Sequence, residues 1–155
     1  MSSLFTYYEE LEILDLSTWN TSNVENMMLM FQGCSNLKKI IFPNFNTSNV
    51  RNMSHMFSGC SSLKTLDLSH FDTSNVEYMH YMFFSCSKLK RLDLSTWDTS
   101  KVTDISYMFN NCNTIDFLDL SCFNNIKLID NIFQYIPYIK KLKLSKTFLN
   151  RLLKT

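Results

Sequence analysis

Along Leu63–Ser69, the segment L-K-T-L-D-L-S alternates apolar and polar positions, the period of a short strand. Beyond Thr73, Ser74 and Asn75 the spacing changes. Apolar residues then recur at Val76, Met79, Met82, Phe83 and Cys86. At about 100° per residue these five fall within about 120° of one another, one face of a helix. Ser74 precedes the run and Glu77 follows three residues on; Ser22 and Glu25 repeat the arrangement, which predicts a capping box at the helix start. Arg51 and Thr103 stand in the place of that Glu elsewhere, so only the Ser cap is general. The slot before each recurring Cys holds Gly33, Gly59, Ser85 or Asn111, residue types that mostly tolerate a left-handed helix end. The dominant step of three also suits a short 3₁₀ segment.

The pattern is written several times over. Cysteines stand at 34, 60, 86 and 112, always 26 residues apart. Met-Phe pairs march with them at Met30-Phe31, Met56-Phe57, Met82-Phe83 and Met108-Phe109, then as Ile132-Phe133. L-x-L pairs recur at Leu14/Leu16, Ile40/Phe42, Leu66/Leu68, Leu92/Leu94, Leu118/Leu120 and Leu142/Leu144. An aromatic follows three residues later in most copies: Trp19, Phe45, Phe71, Trp97, Phe123. The fifth unit is two residues shorter, with Ile126 in the place of Val76 and the Thr-Ser pair lost. The chain opens on half a unit, Leu4-Phe5 standing for Met-Phe and Tyr8 for the cysteine. A fixed period of this length outranks every other reading. A single copy leaves apolar faces that only another copy covers, so the units are expected to stack, their strands forming a parallel ladder. The expectation is one repeat domain over residues 1–155: a half unit 4–16, units of about 14–39, 40–65, 66–91 and 92–117, a shortened unit 118–141, and a C-terminal strand with a basic tail, 142–155.

The L-x-x-L-x-L of "LKTLDL" is similar to the strand signature of leucine-rich repeats. The longer unit, "LDLSxFDTSNVxxMxxMFxxCSSLK", resembles the BspA-like leucine-rich-repeat surface proteins, and the likeness covers residues 4 to about 145. Ile41 and Pro43 depart from the "DLS" triplet, and the shortened fifth unit departs from the period. Pattern and resemblance together predict an α/β fold: a leucine-rich-repeat-like solenoid with about six parallel strands on one face and short α or 3₁₀ helices on the other. The resemblance implies a curved module for surface adhesion or protein binding.

Composition narrows the choice of partners. Two glycines and two prolines in 155 residues are few, so Ser, Thr, Asn and Asp must make the turns. A net charge of +1 supplies no global field toward nucleic acid or an anionic membrane, and neither is an expected partner. The charge is nevertheless polarised along the chain. Glu9, Glu10, Glu12, Asp15 and Glu25 crowd the first 25 residues with no Lys or Arg; Lys140, Lys141, Lys143, Lys146, Arg151 and Lys154 crowd the last 16 with no acid. The first thirty residues show no basic segment followed by an apolar one, and no apolar run approaches the roughly 18 residues that span a bilayer. The sequence is expected to be soluble and unexported as it stands. Its compartment is left open, and a cell-surface location rests on the resemblance alone.

Candidate chemistry is sparse. Four cysteines invite zinc, but stacked units at about 4.8 Å per step put the outer two over ~14 Å apart, too far for one ion. Adjacent pairs come within reach of a disulfide, yet a free buried thiol acting as a small hydrophobe is the favoured reading, with no metal. Cys122 stands outside the ladder as an exposed thiol. His55, His70 and His80 occupy three different slots, so no pair is expected to converge. With no His/Cys or His/Ser constellation and no glycine-rich phosphate loop, neither enzyme activity nor a cofactor is expected. The middle strand slot reads Asp15, Ile41, Asp67, Asp93, Asp119, Lys143, which lines three aspartates along the solvent side. That row is either a solvated ladder or an acidic strip for a basic partner, with Thr65, Arg91 and an outward Phe117 beside it. Thr21, Thr47, Thr73 and Thr99 form a second row, a minor ice-binding alternative. Asn20, Asn46 and Asn52 begin N-x-S/T sequons expected by chance in so Asn- and Ser-rich a chain. The function expected is recognition of a protein or other macromolecule across the strand face, through Thr65, Asp67, Arg91, Asp93, Phe117 and Asp119. The alternative is head-to-tail self-association, acidic end to basic end.

Overall fold

The computed structural model describes residues 1–154. β1 (Ile13–Asp15) pairs in parallel with β2 (Lys39–Ile41), Leu14 facing Ile40. Further on, β3 (Arg91–Asp93), β4 (Phe117–Leu120) and β5 (Lys141–Leu144) form a second parallel sheet in that order. Between the sheets, the third unit touches β3 through the bridge Thr65–Arg91 and pairs with no strand residue of β2. One substitution stands at the gap. Phe42 takes the slot held by Leu16, Leu68, Leu94 and Leu120, and its ring lies 5.4 Å from that of His70 and 5.6 Å from that of Phe71, wedged between the units.

The opposite face carries no helix. Its segments, such as Met53–Cys60, are chains of turns. Met53, His55, Phe57 and Gly59 donate their amides to the carbonyls of Tyr78, His80, Met82 and Phe84 in the next unit, while Met56, Ser58 and Cys60 bend back to Met53, His55 and Phe57. Each segment contains two left-handed residues, φ 59° at His55 and 74° at Gly59, 56° at Tyr81 and 57° at Ser85, 57° at Tyr107 and 63° at Asn111. They stand third in their turns, the position of a type II turn that demands positive φ. A right-handed helix cannot pass through such a residue. The apolar run is still interior: Val76, Met79, Met82, Phe83 and Cys86 are all buried, and Phe5, Phe31, Phe57, Phe83, Phe109 and Phe133 form a column of rings 5.4 to 6.4 Å apart.

Each letter of D-T-S-N-V has an assignment. Asp72 Oδ1 accepts from the Ser74 amide at 3.0 Å and from its hydroxyl at 2.7 Å, an Asx turn; Asn20, Asn46 and Asp98 likewise accept from Ser22, Ser48 and Ser100. Thr73 donates its hydroxyl to Asp98 O in the next unit, Asn75 donates Nδ2 to Ser48 O in the previous one, and Val76 enters the core. The Ser74/Glu77 capping box is absent because the Asx residue two positions earlier already holds the serine amide.

Past the repeats, α1 (Lys146–Leu152) turns the expected basic tail into a short helix. Ser145 accepts from the Phe148 amide and donates to Phe123 O, so one hydroxyl caps both the helix and the ladder. Phe148 is buried with its ring 6.1 Å from that of Phe123, and Arg151 donates to Lys127 O, a carbonyl whose counterpart, Thr103 O, accepts an amide of the following unit.

The leucine-rich-repeat-like solenoid expected from the sequence is therefore not what this chain builds. Five short strands in two small sheets replace a six-stranded face, and turns replace the opposing helices. The causes are local: Phe42 on one face, paired left-handed residues on the other.

Candidate functional site

On the strand face, the third unit, β3 and β4 border a cleft of about 480 Å³. Thr65, Asp67, Arg91, Asp93 and Phe117 line it, with Ser69 and Ser95 at the strand ends. Five of the six residues singled out from the sequence thus meet in one place. The two aspartates are held by the same local device. Asp67 Oδ1 accepts from the Ser69 amide at 3.0 Å; Asp93 Oδ1 accepts from the Ser95 amide at 3.0 Å and from its hydroxyl at 2.7 Å. The amide bond from Ser69, then its hydroxyl, hold the Asp67 carboxyl below the usual carboxylate range. In both residues Oδ2 has no partner among the described residues.

Two expectations about this face need correcting. Phe117 is only 8 % exposed: the Arg91 guanidinium lies 4.4 Å over its ring, and Lys141 and Lys143 approach within 6 Å, at 5.9 and 5.8 Å. It is a floor under cations, not an outward anchor. Asp119 does not continue a solvated row. It is 2 % exposed and bonded to Lys143 Nζ at 2.8 Å and to the Ser121 hydroxyl at 2.6 Å. Burial works to raise its pKa, but those bonds together outweigh it and leave the carboxyl below its ordinary range.

A second cluster escaped the sequence reading. His55 and His80 occupy adjacent slots of neighbouring units, one residue short of the period, and their rings meet edge to face at 5.5 Å. The His55 ring stacks on Tyr81 at 4.6 Å, and Tyr81 on Tyr107 at 4.6 Å. Burial, then the neighbouring His80, lowers the pKa of His55, whose Nδ1 is buried without a partner. His80 Nδ1 lies 3.1 Å from Ser54 Oγ and 3.4 Å from Asp104 Oδ2. These are the residue types of a hydrolytic triad in the wrong arrangement. A triad places serine and carboxylate on opposite ring nitrogens; here both reach the same one, and Ser54 is fully buried. A near-miss in the 26-residue comparison (55 against 80) was the available signal.

The remaining candidates are structural. The ladder cysteines are free; Cys60, Cys86 and Cys112 donate Sγ–H to Phe31 O, Phe57 O and Phe83 O at 3.1 Å, and burial pushes the Cys112 thiol up to about 12. Such thiols are unreactive. Cys122 is half-buried rather than exposed, and burial raises it to about 12 as well. Thr21, Thr47, Thr73 and Thr99 are buried, each hydroxyl given to a carbonyl of the next unit, so they present no hydroxyl surface to ice. Among the described residues no group of His, Cys, Asp and Glu could hold a metal ion, and no helix is long and apolar enough to cross a membrane.

The family described as "Mycoplasma protein of unknown function, DUF285" has a model that matches residues 1–123. No curated protein and no solved structure matches the chain.

Proposed function

We propose that this chain, which belongs to the Mycoplasma family of unknown function DUF285, is a non-enzymatic recognition module that takes a basic segment of a partner protein into the cleft formed by residues 65–69, 91–96 and Phe117. One observation carries the reading: the neighbouring segments 65–69 and 91–95 bring Asp67 and Asp93, each with a free carboxylate oxygen, over the apolar wall of Leu66 and Leu68. A lysine or arginine on an extended segment meets charge at the strand ends and apolar contact for its stem. The cleft is open rather than enclosing, which suits a polypeptide better than a small molecule. The resemblance of the repeat to BspA-like surface proteins supports an adhesive role of the same kind.

The test is binding to an array of extended peptides carrying single Lys or Arg residues, read by fluorescence anisotropy. The paired substitution Asp67→Asn and Asp93→Asn should weaken binding about tenfold or more, ~1.4 kcal/mol, with the melting temperature unchanged because Asn keeps the Oδ1 acceptor. Equal affinity of the two proteins would remove the cleft as the site.

A further inference from the structure

The two ends of the molecule are unlike its middle. Of the large apolar side chains left exposed, only Tyr78 belongs to the central units. Leu4, Tyr7, Tyr8 and Ile13 lie at one end, and Leu128, Tyr135, Tyr138, Leu142, Leu149 and Leu153 at the other. Tyr7 is 64 % and Tyr135 70 % exposed, whereas the core residues of the units between are almost wholly covered.

The backbone is unlike there too, in a directional way. Within each turn segment (27–33, 53–59, 79–85, 105–111) the odd-numbered amides donate to the unit that follows. Ser3, Phe5 and Tyr7 donate to Met28, Met30 and Gln32; Tyr107, Phe109 and Asn111 donate to Asp130, Ile132 and Gln134. The ladder thus ends at one side in the carbonyls of Ser2, Leu4 and Thr6, and at the other in the amides of Asn131, Phe133 and Tyr135. None of these six groups has a partner among the described residues. One end is a row of acceptors, the other a row of donors, at the same two-residue spacing. The ring column likewise ends in half-covered Phe5 and half-covered Phe133.

We propose that these ends are complementary and that the chain associates head to tail with a second copy of itself. Residues 3–8 of one copy extend the turn face of the other past Ile129–Ile136. The amides of Asn131, Phe133 and Tyr135 bond the second copy's Ser2, Leu4 and Thr6 carbonyls, and Phe5 continues the ring column on Phe133. The steps of the two ends match. Among the described residues no turn segment stacks on 129–136, and residues 3–8, which precede β1, have the form of one. In the same register β5 meets β1, which sets Lys143 opposite Asp15. Charge favours this order of ends: Glu9, Glu10 and Glu12 approach the lysine-rich strand 140–143. A contact between two different surfaces does not close on itself, so it propagates into longer chains.

Sedimentation at low salt over a concentration series tests the proposal, with two exposed residues altered to repel the facing end. Leu4→Lys blocks the acceptor end, and Tyr135→Glu blocks the donor end; circular dichroism checks that both fold. The wild type should form a concentration-dependent series of species beyond the dimer, dispersed by salt. Each variant alone should sediment as a monomer, and a 1:1 mixture should reach twice the monomer mass and stop there, since one open end of each kind survives. A wild type that stays monomeric throughout, a single variant that still self-associates, or a mixture that remains monomeric would each overturn it.

Discussion

The two long faces of the molecule are built from the same number of repeats and differ sharply in regularity. On the turn face every unit from Met27 to Asn111 repeats one hydrogen-bonding scheme, and its left-handed sites, its phenylalanine column and its thiols keep step. On the strand face pairing exists between β1 and β2, lapses between β2 and 65–67, and resumes from the Thr65–Arg91 bridge through β3, β4 and β5. The difference lies in what anchors each layer. The turn face is tied by four amides per unit in one segment and by a core residue at nearly every inward position. The strand face is tied by three or four residues, so a single oversized ring is enough to part it.

The largest effect is expected from breaking the regular face. Phe83→Ala removes one ring from the middle of the column, where it packs against Phe57 and Phe109. The loss should be ~3–5 kcal/mol by denaturant unfolding, larger than for any substitution on the strand face. Next comes Asp119→Asn, which breaks the charge-assisted bond to Lys143 and should cost ~1–3 kcal/mol. Because the folded pKa of Asp119 lies below its ordinary value, its contribution is complete above the unfolded carboxylate's pKa, about 4, and drains away as pH falls through the folded value, the unfolded chain taking up the proton first. The stability difference between wild type and variant should therefore shrink as pH is lowered from about 4 toward 2. The smallest effect, under ~1.5 kcal/mol, is expected from Phe42→Leu. Its value lies elsewhere: if the ring is the wedge, amides near 65–67 should gain hydrogen-exchange protection. Unchanged exchange would show that the ring does not part the strands.

Much of the turn face could be read in the residues, because its requirements are compositional. Gly33, Gly59, Ser85 and Asn111 announce left-handed backbone, and the Cys and Met-Phe periods announce an inward face. The missing helix could not be read, because its cause is the left-handed backbone at Leu29, Tyr81 and Tyr107, residue types that rarely adopt it, together with His55. Stacking of those rings on one another, 4.6 Å apart, supplies compensation that only the neighbouring units reveal. On the strand face the period placed Asp67, Asp93, Arg91 and Thr65 together but said nothing of depth, so Asp119 and Phe117 were expected in solvent. The gap had a visible sign in Phe42, whose consequence depends on packing against His70 and Phe71. The end helix was equally signalled, by Ser145 three residues before Phe148, inside a stretch whose charge drew attention away from its capping pattern.

The common orientation of the amides at 27–33, 53–59, 79–85 and 105–111 gives the turn face an electrical sense. Peptide groups aligned head to tail leave partial positive charge where N–H groups are unmatched and partial negative charge where carbonyls are. In an α-helix that puts the positive pole at the N-terminus; here it lies toward Asn131–Tyr135 and the negative pole toward Ser2–Thr6. The acidic and basic side chains cluster at the poles of like sign instead of offsetting them. A protein of net charge +1 is thus a pronounced dipole, and an approaching charged surface turns it to a preferred orientation before any contact forms.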